Sequence, residues 1–75
     1  MNATRRKRLR QITDQAGQLL EQLRSIQEEE QEALDNIPEG LQGTERYEQM
    51  EAAAEALGEA ADTLGEIIDN LEEIL

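Results

Sequence analysis

Apolar side chains recur in alternating steps of three and four on both sides of a single proline, and few folds are open to such a chain. The series runs Leu9, Ile12, Ala16, Leu19, Leu23, Ile26, Glu30, Ala33, Ile37, then resumes as Tyr47, Met50, Ala54, Leu57, Ala61, Leu64, Ile68, Leu71, Leu75. Such spacing keeps one stripe of an α-helix turned toward a partner and marks the seam of a coiled coil. The residues between are mostly Glu, Gln, Ala and Leu, all good helix formers. The sequence therefore predicts an all-α fold of one domain, with helices over 4–36 and 45–75 and a linker over 37–44.

The linker predicts a reversal of direction. Pro38 disfavours helical geometry at Ile37 and offers no backbone donor, so the first helix stops before it. Gly40 and Gly43 are expected to supply positive-φ positions, and Thr44 to cap the second helix, with Glu45 and Glu48 facing its N-terminal dipole. So short a connection makes the helices antiparallel neighbours. Folded there, the seams pair Ile37 with Tyr47, Ala33 with Met50, Glu30 with Ala54, Ile26 with Leu57, Leu23 with Ala61, Leu19 with Leu64, Ala16 with Ile68, Ile12 with Leu71 and Leu9 with Leu75. Several of these layers set a large side chain against a small one, which lets knobs interdigitate.

One hairpin of 75 residues without cysteine is a thin object, and chains this short generally need staples or self-association. Apolar residues also lie beside the expected seam: Leu20 and Leu34 on the first helix, and Ala53, Ala60, Ile67 and Ile74 at heptad intervals on the second. A second stripe predicts a homo-oligomer, in its simplest form a dimeric four-helix bundle. Gly58 and Gly65 fall in a small-residue track with Ala54 and Ala61, which suggests close backbone approach or a ligand groove, and the two glycines join Leu20, Leu34, Ala53, Ala60, Ile67 and Ile74 as the expected oligomer interface.

The net charge of −11 disfavours a polyanionic partner, and tyrosine is the lone aromatic, so there is no platform for stacking nucleic acid. Absence of histidine and cysteine removes imidazole and thiolate chemistry and the usual zinc ligands, and no Walker loop, Rossmann glycine pattern or nucleophile elbow occurs. The chain is therefore expected to be non-enzymatic and without a cofactor. It has no apolar run long enough for a membrane span and no signal-like segment, and a cytoplasmic location is expected.

Five of the seven cations, Arg5, Arg6, Lys7, Arg8 and Arg10, lie within six positions. An antiparallel hairpin brings Arg5, Arg6, Arg8 and Arg10 beside Glu66, Asp69, Glu72 and Glu73, so cross-helix ion pairs are the plain expectation. The alternative keeps Arg5, Arg6 and Arg8 free to grip phosphate through their guanidinium forks. A second candidate ligand set, Gln42, Thr44, Arg46 and Tyr47, gathers at the linker and the start of the second helix. Glu30 falls on the seam and is expected to snorkel or to pair with Arg46 of another chain, whereas the acidic run at 28–32 reads as a solvated face.

The combination of TRRKRLRQI, QEEEQEALDNIPEGLQGTERYEQMEAAAEAL and LGEIIDNLEEIL resembles a group of short helical proteins of phages and integrative elements in Firmicutes. NIPEGLQGTERYE is the specific part of that resemblance, which implies a mobile-element context rather than a mechanism. By analogy with helical anti-CBASS and anti-Thoeris sponges, the expected function is an anti-defence protein that sequesters a phosphorylated nucleotide signal at an inter-subunit site. An acidic module or nucleic-acid mimic that blocks a host defence protein is the alternative.

Overall fold

The computed structural model describes residues 1–75 and is an antiparallel helical hairpin. Helix α1 spans Ala3–Asp35, a 3-10 turn covers Glu39–Leu41, and α2 spans Glu45–Glu73. The Cα trace extends 59 × 14 × 13 Å, so almost every residue lies near the surface.

Each helix starts where a side chain occupies an unpaired backbone amide. The Asn2 side-chain oxygen accepts from the Arg5 amide at 2.9 Å, and Thr44 Oγ1 accepts from the Tyr47 amide at 3.3 Å. The expected cap at Thr44 is thus observed, and Asn2 caps α1 in the same way. The linker differs from expectation, for no residue in the chain has positive φ, Gly40 and Gly43 included. The reversal is made by right-handed turns instead. Leu41, Gln42 and Thr44 donate their amides to the carbonyls of Pro38, Glu39 and Leu41 at 2.9, 3.2 and 3.3 Å.

On α2 the expected seam is observed throughout, with Ala54, Ala61 and Ile68 buried and Tyr47, Met50, Leu57, Leu64, Leu71 and Leu75 half-buried. On α1 only alternate members hold. Leu9, Ala16, Leu23, Glu30 and Ile37 face the partner helix, but the line completing the seam is Thr13, Leu20, Gln27 and Leu34. The expected Ile12, Leu19 and Ile26 are 51, 58 and 51% exposed, and Ala33 is exposed with them. Helix α1 is therefore turned about its axis by roughly 50°, half of one residue's ~100°, which keeps the Leu9 row in the seam and exchanges the Ile12 row for the Thr13 row.

The reason for the rotation lies in α2. A Cβ at Gly58 would meet Gln27 Nε2 at 2.9 Å, and one at Gly65 would meet Leu20 Cδ2 at 3.9 Å. Gly58 thus leaves a hole one step from the Ala54 and Ala61 line that Gln27 fills as a knob, while Leu20 packs over Gly65 at ordinary contact distance. Four residues expected at the oligomer interface, Leu20, Leu34, Gly58 and Gly65, thus belong to the hairpin's own seam. Thr13 tolerates burial because its hydroxyl donates to the Leu9 carbonyl at 2.8 Å.

Candidate functional site

The two candidate ligand sets stand at opposite ends of the hairpin. At the linker end, Ala33, Asn36, Ile37, Pro38, Leu41, Thr44, Arg46, Tyr47 and Met50 enclose a cleft of about 610 Å³. At the open end, Met1, Arg5, Arg8, Leu9 and Ile12 border a hollow of about 260 Å³. Arg6 lines neither, and no single copy can bring the two sets together.

Within the linker set, the turn itself uses two members. Thr44 donates its hydroxyl to the Leu41 carbonyl at 2.8 Å while capping α2, and Gln42 Nε2 donates to the Ile37 carbonyl at 3.5 Å. Gln42 does not line the cleft. Arg46 and the half-buried Tyr47 remain as groups able to reach a ligand there, above a wall of Ile37, Pro38, Leu41 and Met50.

The expected ion pairs at the open end are not formed. The only salt bridge is Arg24 to Asp62 at 3.5 Å, between exposed side chains. Helical phase explains this for Arg5 and Arg8; Arg10, two heptads before Arg24, lies on the acidic side and still forms no pair. Arg5 and Arg8 occupy the side of α1 that carries Ile12, whereas Asp69, Glu66, Glu72 and Glu73 project from the opposite side and back of α2. Arg6 lies on the seam line of Thr13, but beyond the last residue of α2 that could face it.

Heptad stripes join the two ends. Ala33 and Arg46 line the same cleft. The sevenfold series Arg5, Ile12, Leu19, Ile26, Ala33 and Arg46, Ala53, Ala60, Ile67, Ile74 therefore run along one side of the hairpin. Every large apolar residue about half exposed or more lies here: Ile12, Leu19, Ile26, Ile67 and Ile74 on the stripes, Leu41 in the cleft and Met1 in the hollow. The bordering rows are Arg8, Gln15, Gln22, Glu29 and Asn36 on α1, with Gln49, Ala56, Thr63 and Asn70 on α2. Stripes and borders together hold one acid, Glu29, out of the chain's 18, and three arginines.

The other side is its inverse. Gln27, Gln31, Asp35, Glu51, Glu55, Glu59 and Asp62 border a groove of about 590 Å³ there, in which Arg24 is the neighbouring cation. No group of three or more acidic side chains converges closely enough to hold a metal ion. No helix is long and apolar enough to cross a membrane.

Comparison with protein-family models, with curated proteins and with solved structures finds no match for this chain.

The sequence already displayed the pattern that separates the two sides. Leu20 and Leu34 lie one step beyond the chosen stripe, at the phase that meets Gly58 and Gly65. Pairing those leucines with the glycines would have released Ile12, Leu19 and Ile26 to the outer face.

Proposed function

We propose that this chain is a non-enzymatic, homo-oligomeric binding protein whose ligand is a small phosphorylated molecule bearing a ring, of the nucleotide-signal type. The observation that carries this reading is the linker-end cleft, where Arg46 and Tyr47 meet within the one side nearly free of acids. Its volume of about 610 Å³ falls in the range of small-molecule pockets, about 300–1,000 Å³. Arg46 offers a planar fork that matches phosphate oxygens, while Tyr47 and the wall of Ile37, Pro38 and Leu41 offer a surface for a base or ribose. Placed in a host cytoplasm by a mobile element, such a protein would act by stoichiometric sequestration of an immune signal.

Titration calorimetry against cyclic and ADP-ribose-derived nucleotides tests the reading. Binding tighter than about 10 μM, weakened about tenfold or more by Arg46→Ala, is the expected result. Affinities all weaker than that overturn it.

The acidic groove favours a second reading, in which Asp35, Glu51, Glu55, Glu59 and Asp62 engage a basic host protein. Such a partner should be captured from host lysate at low salt and released as salt rises.

A further inference from the structure

We infer that a second copy of this chain covers the acid-poor side in antiparallel orientation, about a two-fold axis passing near Leu19 and Ile67, so that Arg5 and Arg8 of the second copy close the linker-end cleft. The arrangement of copies stands independently of the ligand; the closed cleft rests on the phosphate reading above.

The first argument is the shape of the face. Its bulk is uneven, with Ile12, Ile74, Leu19 and Ile67 toward the open end and Ala33, Ala53 and Ala60 toward the linker. Two such wedges stacked parallel would crowd isoleucines at one end and leave an all-alanine layer at the other. Stacked antiparallel, the layer of Ile12 and Ile74 receives Ile26 and Ala60 of the second copy, and no layer is left wholly to alanine.

Symmetry is the second. Leu19 is the middle residue of α1, Ala3–Asp35, and Ile12 and Ile26 stand one heptad to either side. A two-fold at Leu19 sets Ile12 against Ile26 of the second copy over the full helix length, and the self-complementary patch of an isologous dimer has this form. The 59 × 14 Å outline offers on the order of 800 Å² per copy, the scale of a standard stable interface.

Charge is the third. Antiparallel stacking brings Arg8 of the second copy level with Glu29 and Glu30, giving the half-buried Glu30 a cation that its own chain does not supply. Parallel stacking would leave both arginine clusters at one end and both Glu29–Glu30 pairs at the other. Arg5 of the second copy falls level with Ala33, itself a wall of the cleft, and within about 10 Å along the axis of Arg46 at 1.5 Å per residue. Its aliphatic stem can cross the small Ala33 and Ala53 while the guanidinium reaches the opening. The two ligand sets that one chain holds apart thereby become one site, present twice per dimer.

The chain has no cysteine, which makes single-cysteine probes unambiguous. Leu19→Cys and Ile67→Cys should each cross-link to themselves under mild oxidation. Ile12→Cys and Ile26→Cys should each stay uncross-linked alone but join when the two variants are mixed. Cross-linking of Leu19→Cys with Ile67→Cys only in mixture would mean parallel stacking and overturn the inference. So would a monomeric mass for the unsubstituted protein in native mass spectrometry across the micromolar range. With the dimer established, Arg5→Ala alone should weaken nucleotide binding about tenfold or more without changing the mass. An unchanged affinity overturns the shared cleft alone, and a panel that never binds counts against the ligand class while the cross-links still decide the pairing.

Discussion

Along one side of the seam Ile12, Leu19, Ile26, Ile67 and Ile74 stand about half exposed, whereas along the other Asp35, Glu51, Glu55, Glu59 and Asp62 border a groove. Both sides flank the same buried line of Ala54, Ala61 and Ile68, so packing within one hairpin does not account for the contrast. A charged border is what water requires of an amphipathic helix; an apolar one with glutamine, asparagine and threonine beside it is what a partner requires. The uneven distribution of a −11 charge over a 14 Å width therefore separates a charged side from an apolar, acid-poor one.

The sharpest break in that comparison comes from two leucines on the same helix. Leu34 is 7% exposed within the hairpin and Leu19 is 58% exposed. Leu34→Ala should lower unfolding stability by about 2–4 kcal/mol at any protein concentration, through lost transfer energy and the cavity left behind. Leu19→Ala should cost well under 1 kcal/mol at dilutions where the protein is monomeric, and progressively more as concentration rises. Urea titrations at several protein concentrations check both. Equal costs at every concentration would erase the distinction between the sides.

How far the sequence discloses this arrangement depends on the helix. For α2 the unbroken three-four series from Tyr47 to Leu75 outweighs the lone heptad stripe Ala53–Ala60–Ile67–Ile74 and identifies the seam. For α1 two lines, Ile12–Leu19–Ile26–Ala33 and Thr13–Leu20–Gln27–Leu34, flank the shared Leu9–Ala16–Leu23 row. Counting hydrophobic side chains selects the richer line, yet the hairpin uses the poorer one, with Gln27 seated in the space that Gly58 leaves and Leu20 packed over Gly65. Hydrophobicity reports that a face is buried, not against whom. Arg46 and Tyr47 were legible as neighbours at the start of α2, but the engagement of Gln42 and Thr44 by the turn depends on backbone geometry that composition does not encode.

A smaller effect probes the acidic side. With one exposed ion pair and an excess of carboxylates, repulsion outweighs attraction there, so raising salt from about 0.02 to 0.5 M should stabilise the hairpin as the Debye length shrinks from roughly 20 Å to below 5 Å. Thermal melts with sodium chloride check the sign; a fall in melting temperature would mean that favourable pairs dominate that surface.

The three helical glycines sharpen the comparison further. Nothing lies within 4 Å of a Cβ added at Gly17, and at Gly65 the only neighbour is Leu20 Cδ2 at an ordinary 3.9 Å. Gly17→Ala and Gly65→Ala should therefore each stabilise the protein by about 0.5–1 kcal/mol, through reduced freedom of the unfolded chain. Gly58→Ala should gain less, because the Gln27 carboxamide must move from 2.9 Å before the methyl fits. Denaturant midpoints at constant slope measure all three. If Gly65→Ala destabilised instead, the seam would be tighter than the Leu20 contact implies.

The smallest expected effect belongs to Arg24. Its partner Asp62 lies 3.5 Å away, with the two side chains 47 and 73% exposed. An ion pair so open to water offsets its Coulomb gain with side-chain ordering and salt screening, so Arg24→Ala should change stability by no more than about 0.5 kcal/mol. Arg8→Ala removes a cation that has no partner at all in one hairpin. It should therefore leave the monomer's stability alone and instead raise the dimer's dissociation constant severalfold, an effect that high salt diminishes. Sedimentation equilibrium of the two variants side by side makes the contrast quantitative. An arginine bound on the acidic side is expendable for assembly, while an unpaired one on the apolar side is not; equal dissociation constants for both variants would mean that Glu29 and Glu30 never meet it.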